Sequence, residues 1–371
     1  MEALYSIGRL ENGKRFSGNG LSGAVQPASI REDKMILTKH VARFAVIFPC
    51  ALFGIMAPGN AISDESVMYV GYGPGGSFDL QARTMARHLS NHLTGNPKIS
   101  IRFMPGAGTL TLARYLFSSA KRDGSEFGQI NSGVVFSDLL FKTSTGIDFR
   151  SLTYLGSPAQ ELSVCAVWHT SRAQNIQDAK KVEVTLSAVN PRTVNGATAG
   201  LINKLIGTRF KSVFGYTGDS QQSLAMERGE VNGRCSAYSA ITTTKPDWMR
   251  DKKLRFLIHG SPEKIEYLPQ VPSLFDMISN ESDLAAANVV FAKDKIGNPV
   301  VAPPGLPPQR ERELISAFAK TMSDPNFKAD AKSVGFMLDP VAGELAQKVV
   351  RDVHSAPSSV IQRARELLRQ E

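Results

Sequence analysis

Val67-Met-Tyr-Val70 runs directly into Gly71-Tyr-Gly-Pro-Gly-Gly-Ser-Phe-Asp79, and the reading of this stretch decides the fold. Four apolar residues in a row read as a buried strand, and the glycine cluster as the turn that ends it. From Ser77 to Leu93 the residues Ala82, Met85, Ala86, Leu89 and Leu93 return on one face, which predicts a helix. The same order then repeats. Ile99–Phe103 reads as a second strand, Pro105-Gly-Ala-Gly108 as a second glycine turn, and Leu110, Ala113, Leu116 and Phe117 as the face of a second helix. Gln129-Ile130 leads a third strand into the small-residue turn Asn131-Ser132-Gly133. Repeated strand–turn–helix units predict α/β architecture with parallel sheets covered by helices.

Further along, Leu162–Val167, Val182–Ala188, Val231–Ser236 and Leu254–Ile258 read as strands, and 195–206 as a helix. Asp219 is expected to N-cap a helix ending near Arg228, with Gly229 just past its end. After Ala302-Pro-Pro-Gly-Leu-Pro-Pro308 the pattern is helical over 309–322, 325–334, 342–353 and 358–369. Four helices in succession, with no strand between them, are expected to wrap a sheet formed upstream.

The chain has 371 residues, 42% of them apolar, which is enough to bury a substantial core. Its 43 Lys and Arg against 34 Asp and Glu give a net charge of +9, scattered without a basic run or basic–aromatic interleaving. That distribution excludes a nucleic-acid partner. Residues 1–34 lack apolar periodicity and read as an unstructured upstream extension before a second start at Met35. Residues 35–61 read as a signal peptide: Lys39, His40 and Arg43, then the apolar run Phe44–Met56, then Gly59 and Ala61 for cleavage. The run is shorter than the roughly 20 residues that cross a bilayer. Export to the periplasm follows. The mature chain keeps Cys165 and Cys235, either bridged or as two buried thiols. His88 and His92 stand four apart on the first helix, on its polar side, and read as solvent-facing rather than as metal ligands.

The chemistry resides in the two glycine turns. Glycine lets the backbone adopt positive φ and approach a ligand closely. The helix behind each turn presents unpaired N–H groups and about half a positive charge. Together they form an anion cradle that needs no charged side chain.

Tyr72-x-Pro74-Gly-Gly-x-x-Asp79-x-x-Ala82-Arg83, followed by Pro105-Gly-Ala-Gly108, resembles the substrate-binding receptors of tripartite tricarboxylate transporters, the Bug receptor family. Lys121-Arg-Asp-Gly124, Gly215-Tyr-Thr-Gly218, Arg228-Gly-Glu-Val-Asn232, Val271-Pro-Ser273, Ala302-Pro-Pro-Gly-Leu-Pro307, Asp324-Pro325 and Gly335 fit the same family in order. The resemblance implies a two-lobe periplasmic binding protein of type II-like form. Each lobe would be a mostly parallel sheet flanked by helices, and crossover strands would join the lobes. The expected division is 62–164 with 289–371 for the first lobe and 165–288 for the second. It implies a receptor, not an enzyme, with no cofactor, metal or catalytic residue. The ligand would be a small organic acid and the partner the membrane permease subunits of such a transporter. By position, the ligand would be held in the first lobe by Tyr72, Gly75, Gly76, Ser77, Phe78, Asp79, Gly106, Ala107, Gly108, Asn131 and Ser132. The second lobe would supply Ser187, Thr193, Tyr216 and Asp219.

Three stretches depart from the family pattern: Phe78, Arg102-Phe103-Met104, and Ser187-Ala-Val-Asn-Pro-Arg192. Phe78 and Met104 point to an apolar or aromatic acid. Two alternatives remain. Gly71-x-Gly73-x-x-Gly76 also matches the dinucleotide fingerprint, so an NADP-dependent enzyme is one, although no acidic residue ends the second strand to hold a ribose. A periplasmic sensor for a two-component kinase would use the same cleft.

Overall fold

The computed structural model describes residues 65–369, apart from 192 and 217. The expected extension 1–34 and signal peptide 35–61 lie outside the described residues. Among the described residues eleven strands form two sheets: β1 Glu65–Val70, β2 Lys98–Phe103, β3 Glu126–Gln129, β4 Thr153–Ser157, β5 Ser163–Trp168, β6 Val184–Ser187, β7 Phe210–Val213, β8 Gly233–Ala237, β9 Leu254–His259, β10 Val300–Ala302 and β11 Val341–Ala342. The first sheet has the order β11-β4-β10-β3-β1-β2 and the second β7-β6-β8-β5-β9.

Each sheet is mixed, with three parallel strands extended by antiparallel ones. β2, β1 and β3 are parallel, while β10 runs antiparallel to both β3 and β4. In the second sheet β7, β6 and β8 are parallel, and β5 is antiparallel to β8 and β9. The antiparallel strands β4, β5 and β10 flank the places where the chain crosses between sheets. The parallel strands are joined by helical crossovers within one sheet, as short βα units require.

Strand alternation explains why the cores are separate. Met68 and Val70 point to one face of the first sheet and pack with Phe78, Met85 and Leu89 of helix Ser77–Leu89 and with Phe318, Phe327 and Phe336. Val67 and Tyr69 point to the other face and pack with Leu112 and Leu116 of helix Leu110–Ser118. In the second sheet Val164 and Ala166 join Met226 and Trp248, while Cys165 and Val167 face Leu201 and Ile202. A wholly buried ring such as Phe127 contributes about 2–3 kcal/mol through the water it no longer touches.

The C-terminal helix extends across the lobes. Helix Ser358–Leu368 packs on helix Val194–Ile206 of the second lobe and on Ser137–Phe141 of the first. Lys204 Nζ fastens its end by donating to the carbonyls of Glu366 (2.9 Å) and Arg369 (2.5 Å).

Several expectations change. β11 interrupts the C-terminal helical run at Val341–Ala342 and pairs with β4. Gly218, not Asp219, is the N-cap of helix Asp219–Glu227; the Asp219 carboxylate instead accepts from Arg234, a charged donor that outcompetes the local amides. His88 and His92 are not solvent-facing. Their Nε2 atoms lie 3.0 Å from Asp330 and 3.2 Å from Asp324, fixing the first helix to helix Pro325–Ser333 and its N-cap. Of the two alternatives left open for Cys165 and Cys235, the structure holds the disulfide: they are register partners on neighbouring strands β5 and β8.

Candidate functional site

Both glycine turns sit at the carboxyl ends of adjacent parallel strands, β1 and β2, where ligands of open α/β sheets collect. In the first turn Gly76 caps helix Ser77–Leu89, and the first helical bond runs from Leu80 N–H to Gly76 O at 3.1 Å. The amides of Ser77, Phe78 and Asp79 therefore precede the helical ladder. Asp79 is buried: it accepts from Gly75 N–H at 2.8 Å and from Arg83 Nε at 2.5 Å, which ties the turn to the first turn of the helix. A Cβ placed on Gly73, Gly75, Gly76 or Gly108 would meet nothing within 4 Å. The backbone there faces open space.

The second turn is built from four consecutive left-handed residues: Gly106 (φ 141°), Ala107 (46°), Gly108 (64°) and Thr109 (82°). Such conformations are costly for residues with a Cβ and persist only where neighbours enforce them. Thr109 is enforced by its own side chain, whose Oγ1 accepts from Asn131 N–H at 3.0 Å. That bond also joins the second turn to the end of β3. Hydrogen bonding within the turn begins with Thr109 N–H donating to Gly106 O at 3.0 Å. The N–H groups of Ala107 and Gly108 find no acceptor among the described residues.

The remaining expected residues divide into exposed and buried groups. Tyr72 is exposed at 38% and packs edge-on against Phe78, centroids 4.7 Å apart. The Phe78 ring itself belongs to the first-lobe core, so its amide and not its ring borders the cradle. Ser132 is buried, and Asn131 caps the short helix after it by accepting from Gly133 N–H at 2.8 Å. In the second lobe Ser187 ends β6 and is buried, and Thr193 caps helix Val194–Ile206 by accepting from Gly196 N–H at 3.1 Å. Tyr216 packs against the Trp248 cluster. The Tyr72 phenol is pushed up to about 12, first by desolvation around its hydroxyl and then by the negative charge of Asp219.

Sequence reasoning missed two groups. Arg234 on β8 is wholly buried beneath Asp219, and a lone arginine inside a strand carries no motif that flags it. The second is a polar chain at the crossover from β4 to β5. Glu161 accepts from Asn298 Nδ2 of the first lobe at 2.8 Å and from Ser239 Oγ of the second at 2.7 Å. Asn298 also contacts Asn131 and Gln129, which links this crossover to the third turn. Desolvation, with the charge of Asp294 adding to it, raises the Glu161 carboxyl to about 7 against the hydrogen bonds that favour its ionised form. The fold thus prefers protonated Glu161. Its contribution is most favourable below the ordinary glutamate range and declines as pH rises toward 7. Glu161→Gln is expected to gain about 2 kcal/mol over wild type at pH 8 and almost nothing at pH 4.5, read from urea unfolding at both. An equal gain at both pH values would contradict the assignment.

A cavity of about 1080 Å³ lies elsewhere, on the first lobe between Leu155, Phe318, Met322, Phe336 and Met337, and includes none of the expected ligand residues. Among the described residues no three His, Cys, Asp or Glu side chains gather as a metal site, and no helix is long and apolar enough to cross a membrane.

No protein-family profile matches the chain, and no curated protein matches it in sequence. Solved structures do. MatC from Rhodopseudomonas palustris, with bound malate, is 16% identical with a TM-score of 0.60, covering 82% of this chain and 99% of its own. A second R. palustris protein, with adipate, is 17% identical with a TM-score of 0.60, covering 82% and 95%. The periplasmic binding protein BugD is 17% identical with a TM-score of 0.57, covering 82% and 95%. At this identity the likeness lies in the fold: two mixed sheets flanked by helices, the two-lobe architecture of periplasmic binding proteins.

Proposed function

We propose that this protein is a periplasmic solute receptor that binds a small organic carboxylate between its lobes and delivers it to a membrane permease. The observation that carries the reading is the pair of turns at the ends of adjacent strands β1 and β2: the amides at 77–79 precede the helical ladder, those at 107–108 have no acceptor among the described residues, and Gly75, Gly76 and Gly108 border open space. A carboxylate there gains several N–H donors and two helix starts without any counter-charge. The lobes are taken as 62–164 with 289–371 and 165–288. Ser187, Thr193, Tyr216 and Asp219 lie on the second-lobe side that closes over the ligand. Closure requires only that the ligand bind the closed form more tightly than the open one. Residues 35–61 direct export, and the permease is of the tripartite tricarboxylate kind. Proteins of similar fold hold malate and adipate, which supports an acid of that size. No covalent step is assigned to any residue.

Thermal unfolding with a panel of mono- and dicarboxylates tests this directly. At 100 times its Kd, a ligand adds about 2.7 kcal/mol, enough to raise the melting temperature by several degrees. A flat response to every acid, with a rise for NADP, would replace the receptor with a nucleotide enzyme.

A further inference from the structure

Arg234 is unusual because it is a fully buried arginine with little to hold it. It is 0% exposed, and its Nη1 donates to the Asp219 carboxylate at 3.0 Å and to the Asp219 carbonyl at 3.3 Å. Its Nε and Nη2 have no hydrogen-bond partner among the described residues. These two nitrogens form one edge of the guanidinium, the edge that grips a carboxylate with two parallel bonds. A buried cation with empty donors is expensive unless an anion completes it. Asp219 is a weak completion, since it uses one donor nitrogen and its side chain is 43% exposed.

Position gives the empty donors a purpose. Arg234 is the register partner of Ser187, so it lies level with the carboxyl end of β6. It reaches the first residue of helix Asp219–Glu227, where backbone N–H groups and the helix dipole also favour an anion. One turn along the same helix, the buried Ser223 hydroxyl has no partner among the described residues either. The negative charge of Asp219 is also felt by the phenol of Tyr72 in the first glycine turn.

Resting on the receptor reading above, we propose that Arg234 is a second anion subsite and that the ligand is a dianion. One carboxylate sits on the first-lobe amides. The other takes over Arg234 from Asp219, which serves as its resident counter-ion until the ligand arrives. Exchange is favoured because a monodentate, half-solvated partner gives way to a bidentate one.

Calorimetric titration with succinate and its single-charge counterpart butyrate, and with adipate and hexanoate, tests this at neutral pH. Wild type is expected to bind the better dianion about 100-fold more tightly than its monoanion. Arg234→Met should reduce that preference to about threefold while monoanion affinity stays within about threefold, and Arg234→Lys should fall between. Asp219→Asn removes the competing anion and should tighten dianion binding by about tenfold, which a purely structural Arg234–Asp219 pair would not do. Equal binding of both members of each pair by wild type overturns the subsite and leaves the receptor reading intact. So does a preference that survives in Arg234→Met or, should that variant not fold, the absence of tightening in Asp219→Asn. No binding of any of the four acids overturns both.

Discussion

Replacing Gly108 with valine is expected to weaken carboxylate binding about 100-fold while costing the fold only about 2 kcal/mol. The two effects differ because they arise from different properties of one residue. Gly108 has φ 64°, and a Cβ there meets no atom within 4 Å. The fold is therefore charged only for the left-handed backbone, with no clash added. Binding loses more. A branched side chain fills the open space above the turn, and relaxation of the backbone turns the 107–108 amides away from the anion. Each hydrogen bond to a charged acceptor is worth about 1.5–3 kcal/mol, so two account for the loss. Gly106 is a poorer test. Its φ is 141°, and its Cβ would overlap the Thr111 hydroxyl, so Gly106→Val damages the start of helix Leu110–Ser118 as well as the cradle. Titration and urea unfolding of Gly108→Val together separate the terms; unchanged affinity would remove Ala107 and Gly108 from the site.

Replacing both Cys165 and Cys235 with alanine is expected to cost about 4 kcal/mol, from the chain entropy of a loop of 70 residues in the unfolded state. The consequence reaches function through β8. The bridge ties β5, where the chain enters the second lobe, to the strand that carries Arg234 one residue away. Without it the second lobe should melt at lower temperature, and dianion affinity should fall with it, whereas the Gly108 variant loses affinity through the cradle itself. A melting temperature equal to wild type in the double alanine variant, under oxidising conditions, would contradict a structural role for the bridge.

What was legible in the sequence is what backbone physics writes locally. Gly75, Gly106 and Gly108 take positive φ, and the strand–turn–helix order around them follows from apolar spacing. What stayed hidden depends on residues far apart in the chain. β10 has three residues and β11 two, too short for any alternation to register; β10 exists because β3 and β4 offer it edges, and β11 because β4 does. Helix Glu281–Ile296 buries Ala286, Ala287, Val289, Val290, Phe291 and Ala292, which surround its axis and erase the amphipathic stripe. The disulfide requires β5 to lie beside β8, an adjacency that skips β6 and β7. Arg234 and Glu161 acquire meaning only from burial and from partners on other elements.

The most direct measurement is a crystal structure with the acid that most raises the melting temperature. The account predicts a carboxylate of that acid about 2.9 Å from main-chain nitrogens within 77–79 and 107–108, directly or through one ordered water. A ligand carboxylate gripped elsewhere by side chains, with those amides bare or capped by protein, would contradict it.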